Sequence, residues 1–356
     1  MRPRRGAKFI AYDARWKSRT AGRDGKDRKA AHLAVRSAGE PKCQLLADQP
    51  NRLEVAVAES ALTATSPSLE PQSPVALRLS GLAGATGIDC RGMEPKWETI
   101  ESGPAGAERT VLLLPGGMCS ARSYAEVMAE PSLAGHRLVA ATLPGHCGTA
   151  PPEDFRPERY AEMAAGLARD VGADVVVGFS MGATVAYEMV ASGAFAGPLV
   201  LLGVSLSSRD EPAFFRGIVQ LTSVLGTLPV AVLKKGAASM VKKAAVSAER
   251  QAELKVDFGL NDAHDMTKAL RAYVQWLHRD DDRARRLCDT GLPVWVVHGE
   301  KGDGGLTPHE RSVLKACPNV HVVTIPGHVF FLPNDLPGAV ADVIVDAVDE
   351  LSPRAL

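Results

Sequence analysis

The stretch Gly178-Phe179-Ser180-Met181-Gly182 offers the clearest chemistry in the chain: a serine flanked, two residues to either side, by glycine. Val175 to Val177 precede it as a run of β-branched residues that reads as a buried strand. Met181 to Val190 follow with the length and composition of a helix. A strand that turns straight into a helix holds the Ser180 hydroxyl above the sheet edge. The two glycines remove side chains that would collide at so tight a reversal, and the Met181 amide falls at a helix N-terminus, where negative charge is favoured. Ser180 is therefore the candidate nucleophile.

A serine hydroxyl is a poor nucleophile until a base takes its proton, so the motif needs a histidine. Of nine histidines, His328 is the best placed, because Val320 to Ile325 read as a strand and Pro326-Gly327 as a loop that can carry the ring back. His146 is expected in a pocket wall, and His298 packed in a strand end. The imidazole in turn needs a carboxylate to fix its tautomer and stabilise its charged form. Asp303 is the first choice: it lies just past a strand near 294–298, in Lys301-Gly302-Asp303-Gly304-Gly305, whose glycines let the chain curl inward. Asp210, beyond a strand at 199–206, and Glu300 are the alternatives. A tetrahedral intermediate needs two hydrogen-bond donors. The Met181 amide is one, and the loop after Leu114 supplies the other, Gly117 first and Met118 second. Cys119 and Cys147 have no evident base beside them and are read as bystanders.

The elements that must position these residues alternate. Strands are expected at 97–101, 110–114, 136–142, 174–177, 198–206, 291–299 and 320–325. Helices are expected at 123–130, 157–171, 181–190, 306–316 and 336–351. Such repeated β-α units predict an α/β fold with a mostly parallel central sheet flanked by helices, and active sites of such sheets lie beyond the strand C-termini. Residues 207–290 break the rhythm. Phe214–Leu225, Leu228–Lys243, Ser247–Leu254 and Met266–Leu277 are helix-compatible, which predicts an all-helical lid insertion between the two halves of the core, 93–206 and 291–356. Its apolar residues (Phe214, Phe215, Ile218, Leu221 and Val224 among them) either line a hydrophobic substrate pocket or form the core of the insertion itself.

Residues 1–92 differ from the rest. The first 40 carry 12 Lys/Arg against 4 Asp/Glu, and the remainder 29 against 37. This basic leader and the Ser/Thr/Pro/Ala/Gly-rich stretch after it are expected to be disordered or weakly ordered, with no catalytic part. The formal net charge is zero, which gives no argument for nucleic acid or a membrane as partner. No run of 18 apolar residues is present, and no continuous apolar segment follows the basic start as in a secretory signal, so the expected location is cytoplasmic. The six cysteines lack compact spacing and read as free thiols rather than a disulfide framework. Neither H-E-x-x-H nor G-x-G-x-x-G occurs, so no metal or cofactor is expected.

Four stretches together carry a resemblance: Leu112-Leu-Leu-Pro-Gly-Gly117, Leu143-Pro-Gly-His-Cys-Gly-Thr149, Gly178-Phe-Ser-Met-Gly182 and Ile325-Pro-Gly-His-Val-Phe-Phe331. Residues 97–351 resemble the α/β-hydrolase superfamily, in its lid-bearing serine esterase, peroxidase and aminopeptidase-like branch. That resemblance implies Ser180 as nucleophile, His328 as base, Asp303 as acid, and Gly117 and Met181 at the oxyanion. The chain departs from the usual pattern at Pro115 (often His), at Thr142 and Cys147 (often Asp and Gly), and in a longer acid loop. Serine at 180 speaks against the dehalogenase and epoxide-hydrolase branches, whose elbow nucleophile is aspartate. The expected function is hydrolysis of a carboxylic ester or related acyl compound with an apolar part. Acyl transfer or cofactor-free perhydrolysis by the same triad, and a non-catalytic small-molecule-binding protein on this scaffold, are the alternatives.

Overall fold

Alternation in the sequence becomes a two-faced sheet. A computed structural model of the chain describes residues 97–351 except 212–216, 218–220, 222–224, 231, 233, 235, 237–240, 280–281, 302–304 and 330. The expectations for residues 1–92, for Asp303, and for most of the helices at 214–225 and 228–243 fall outside the described residues. For His328 the backbone is described and the side chain is not.

Seven strands form one sheet: β1 (Glu98–Ser102), β2 (Thr110–Leu114), β3 (Arg137–Thr142), β4 (Val175–Phe179), β5 (Leu199–Leu202), β6 (Val294–Lys301) and β7 (Val320–His328). Their spatial order is β1-β3-β2-β4-β5-β6-β7, with β1 antiparallel to β3 and every other pairing parallel. Nine helices are described: α1 (Ala125–Met128), α2 (Pro157–Val171), α3 (Met181–Ala191), α4 (Ala248–Gly259), α5 (Ala263–Leu277), α6 (Arg283–Asp289), α7 (Pro308–Ala316), α8 (Leu332–Asp335) and α9 (Pro337–Asp349).

The period of two along the central strands assigns side chains to faces. Leu112, Leu114 and Val176 pack with Tyr160 of α2, Val185 and Met189 of α3, Trp276 of α5 and Leu314 of α7. Val111, Leu113, Val175 and Val177 pack with Val127 of α1 and Val340, Val343 and Ile344 of α9. Burying one such side chain is worth about 1.5–3 kcal/mol, so the residues that pin β4 between its neighbours also fix the start of α3. Helix α2 spans the expected 157–171. Pro157 suits its first turn, and Gly172 ends it at φ 68° and ψ 44°, the left-handed cap that glycine adopts without a Cβ clash.

The stretch between β5 and β6 is helical where it is described, and no strand occurs among its described residues. In α4, α5 and α6 a side chain sits on the first free amides: Ser247 accepts from Arg250, Asp262 from His264 and Asp265, and Asp282 from Arg285. Such caps contribute about 1 kcal/mol each. Of the apolar residues expected to line a pocket or to form the core of this stretch, Val230 is buried, while Leu221, Leu225, Leu228 and Val232 are exposed. Among the described residues no helix is long and apolar enough to cross a membrane.

Several boundaries differ from expectation. The helix at 123–130 is a 3-10 turn, Ala121–Tyr124, followed by the short α1. Strand β5 stops at Leu202 rather than 206, because Gly203 turns to φ 58°. Strand β7 continues through Pro326 and Gly327 to His328 instead of ending at Ile325. It is an edge strand, where a proline without an N–H leaves no partner unsatisfied. The cysteines also need correction. Cys288 and Cys317 form a disulfide with Cα atoms 5.7 Å apart. They lie 29 residues apart in sequence, and only the side-by-side placement of α6 and the end of α7 brings them together. Cys119 and Cys147 are free and buried.

Candidate active site

Ser180 sits between the last residue of β4 and the first of α3, at φ 50° and ψ −114°. A non-glycine residue in so sparse a region costs on the order of 1–3 kcal/mol and persists only where its surroundings over-determine it. The surroundings here do so. The Ser180 amide donates to the Leu202 carbonyl at 2.9 Å, and its own carbonyl accepts from Ala183 at 2.9 Å and Thr184 at 3.1 Å. The flanking glycines are sterically obligatory: a Cβ on Gly178 would lie 2.3 Å from the Gly182 carbonyl oxygen, and one on Gly182 would lie 2.2 Å from that of Leu114. Phe179 and Met181 are buried, whereas Ser180 is exposed. The motif thus presents one hydroxyl outward at a helix N-terminus.

The loop after β2 lies directly on this elbow. A Cβ on Gly116 would approach Phe179 Cδ1 to 3.1 Å and Ser180 Cβ to 3.5 Å, and one on Gly117 would sit 3.6 Å from Met181 Sδ. The Cys119 amide donates back to the Gly116 carbonyl at 3.1 Å, closing a turn whose third residue, Met118, has φ 65°. Thr142, at the end of β3, braces the far side by accepting from the Ala121 amide at 2.9 Å. The structure therefore brings Gly117, Met118, Ser180 and Met181 together.

Because β4, β5, β6 and β7 run parallel, their C-terminal ends share one edge with the elbow. His328 pairs with Lys301 there, beyond an irregularity between Gly299 and Lys301. Glu300 is exposed, and its carboxylate accepts from the Gly327 amide at 3.1 Å.

The fold and the motifs on its strand ends agree with the comparisons. The model of the alpha/beta hydrolase family matches residues 111–343. The chain belongs to the alpha/beta hydrolase family. No curated protein matches it by sequence. Among solved structures, the wild-type protein Cfl2 from Burkholderia cenocepacia is 23% identical with a TM-score of 0.55, over 70% of this chain and 91% of that one. A loop variant of a haloalkane dehalogenase from Bradyrhizobium elkanii is 17% identical with a TM-score of 0.56, over 71% and 93%. A thioesterase domain from the curacin biosynthetic pathway is 21% identical with a TM-score of 0.53, over 72% and 100%. These likenesses are of fold.

Within this alpha/beta hydrolase, Asp210 is not a free carboxylate. It is buried, and its oxygens accept from the amides of Leu206 (2.8 Å), Ser207 (2.9 Å) and Thr307 (3.2 Å). Burial, together with the adjacent Glu310, pushes its pKa up to about 7. For Glu310 burial works the same way, but hydrogen bonds from Asp210 and Thr307 outweigh it and hold the pKa below the ordinary value. One proton is thus shared between them, carried by Asp210 below neutral pH. An unfolded aspartate titrates near 3.9, so between about pH 4 and 7 the folded state binds the extra proton. The stability from this group is full below that window and is lost as pH rises through it, with a slope of at most about 1.4 kcal/mol per pH unit. Glu310 contributes in the opposite sense, at lower pH. In Asp210→Asn, melting temperature measured across pH 4–7 should lose the downward component that Asp210 gives the parent. An unchanged slope would mean the proton is not held there.

His146 is buried, edge-on to Tyr160 with ring centroids 6.1 Å apart, and burial takes its pKa down to about 4 in spite of nearby carbonyls. It is a neutral packing group. His298 is buried in β6, as expected. Burial pushes the Cys119 thiol up to about 12, with Asp257 adding to the shift, and raises Cys147 as well. Neither has thiolate character for chemistry.

Sequence reasoning missed Asp257 and Asn261. Asp257 lies in the last turn of α4 and Asn261 two residues beyond it; both are buried and contact the loops after β2 and β3. The signal was only a pair of polar residues four apart near the end of a helical segment, which a solvated helix end also produces.

Proposed function

We propose that this protein is a serine hydrolase of carboxylic esters or related acyl compounds with an apolar part. The observation that carries the reading is the exposed Ser180 at a strained strand-to-helix turn, with the Met181 amide and the Gly116–Gly117 loop packed against it. In this reading His328 takes the Ser180 proton as Oγ attacks the carbonyl carbon. The amides of Met181 and Gly117 receive the developing oxyanion, at a helix N-terminus whose dipole already favours negative charge. His328 then returns the proton to the leaving group. A water, deprotonated by the same imidazole, attacks the acyl-enzyme and releases the acid. Asp303 holds the imidazole and stabilises its charged form. The helical stretch between β5 and β6 acts as the lid over the acyl part. A serine at the elbow favours acyl chemistry over the carbon–halogen displacement in the name of the dehalogenase neighbour, and a thioesterase neighbour is compatible with acyl substrates.

The test uses the full chain. A fluorophosphonate should label Ser180 stoichiometrically, as located by peptide mass, and a panel of nitrophenyl esters of graded acyl length should be turned over with a preference that reports the pocket. A folded protein that neither labels nor hydrolyses any ester would move the assignment to a binding module.

A further inference from the structure

Three described residues other than glycine have positive φ: Met118 at 65°, Cys147 at 50° and Ser180 at 50°. The elbow accounts for Ser180. The other two, on different loops, are held by one side chain. Asn261 Nδ2 donates to the Met118 carbonyl at 3.0 Å, and Oδ1 accepts from the Cys147 amide at 2.9 Å. The second Nδ2 hydrogen returns to the Phe258 carbonyl at 3.1 Å, which ties the carboxamide to its own helix end. Cys147 closes the arrangement, its thiol donating to the same Met118 carbonyl at 3.1 Å. One turn earlier, Asp257 accepts from Ser120 Oγ at 2.5 Å and pairs with Arg122 at 3.1 Å. Asn261 and Asp257 are each only 2% exposed.

We infer that Asn261 is a positioning residue for the oxyanion loop, clamping the Gly116–Cys119 turn in the left-handed form at Met118. A turn closed by the Cys119 amide on the Gly116 carbonyl takes positive φ readily at its third position only with glycine or asparagine. With methionine there, the relaxed alternative has negative φ, and reaching it turns over the peptide between Gly117 and Met118. Those two residues are the candidate second donors to the oxyanion. A carboxamide fits this task because it donates to one strained loop and accepts from the other at once, with its remaining hydrogen satisfied. An aliphatic side chain would leave the Met118 carbonyl and the Cys147 amide short of partners, and aspartate would set a carboxylate against a carbonyl. Asp257 holds the following residues of the same loop, so the end of α4 grips it at two points.

The inference rests on the oxyanion role proposed above, and two kinds of measurement separate them. Asn261→Ala should lower kcat for the best ester by about 100-fold, the scale of a displaced catalytic group, while KM stays within about threefold. If the loss arises from relaxation at Met118, then Met118→Gly, which adopts positive φ freely, should restore most of kcat in the double variant. A lost kcat that Met118→Gly does not restore, or an Asn261→Ala protein with parental kcat, overturns the inference. Should Asn261→Ala fail to fold, Asn261→Asp keeps the acceptor for Cys147 and removes the donor to Met118. Its kcat should fall with KM kept, and parental kcat again overturns the clamp. Hydrogen exchange at residues 116–120 reads the clamp without catalysis: these amides should exchange faster in the Asn261 variants. Unchanged exchange refutes it even if the parent proves to hydrolyse no ester, whereas faster exchange in an inactive parent refutes only the catalytic reading.

Discussion

Ser180→Ala is expected to lower kcat for ester hydrolysis by about a millionfold and to abolish fluorophosphonate labelling, with the melting temperature nearly unchanged. The two halves of this expectation have separate causes. The bonds that fix the elbow use only the amide and carbonyl of residue 180, and alanine keeps both. The side chain is on an exposed residue, so its loss belongs with surface substitutions, which shift stability by about 0.5 kcal/mol at most. The chemistry, by contrast, has no evident second nucleophile among the described residues: the buried thiols of Cys119 and Cys147 have raised pKa values and no thiolate to offer. What would remain is polarisation of the carbonyl by the proposed oxyanion donors, worth a residual rate over water but no acyl-enzyme. Initial rates with a nitrophenyl ester, alongside a thermal melt, check both halves. A variant retaining more than about 1% of parental turnover would place the nucleophile elsewhere.

Much of this was legible in the sequence because the governing forces there are local. The elbow is a steric statement about Gly178 and Gly182, and a Cβ at either would meet backbone closer than 2.4 Å. Strand β2 and helix α2 announced themselves through a continuous apolar run and a three-to-four spacing that burial on opposite faces of one sheet requires. Punctuation misled where tertiary context overrides it. Pro326-Gly327 reads as a loop, yet at a sheet edge the ladder tolerates both, so β7 carries His328 as a strand residue. The Cys288–Cys317 bond and the Asn261 and Asp257 contacts were hidden for another reason. Their partners are 29, 114, 143 and 137 residues away, and nothing in local spacing encodes which distant loop a helix end will meet.

Asp303→Asn should cost about 10⁴-fold in kcat, the size of effect seen when a triad imidazole loses the carboxylate that sets its tautomer, whereas Asp210→Asn and Glu300→Gln should stay within about tenfold. The argument is one of occupation. Glu300 is exposed and spends its carboxylate on the Gly327 amide, bracing the irregular end of the β6–β7 pairing. Asp210 accepts three backbone amides and shares a proton with Glu310. With its pKa pushed up to about 7 it is protonated at mildly acidic pH, and a neutral carboxyl stabilises an imidazolium poorly. That leaves the carboxylate two residues past the end of β6, on the chain segment adjoining the strand that pairs with His328. Measuring kcat for all three variants as a function of pH adds a second discriminator. If Asp303 is the acid, Asp210→Asn should leave the pH–rate profile in place while altering the pH dependence of stability. If the large loss falls on Asp210→Asn instead, the acid sits after β5, and the shared proton with Glu310 becomes part of the catalytic titration.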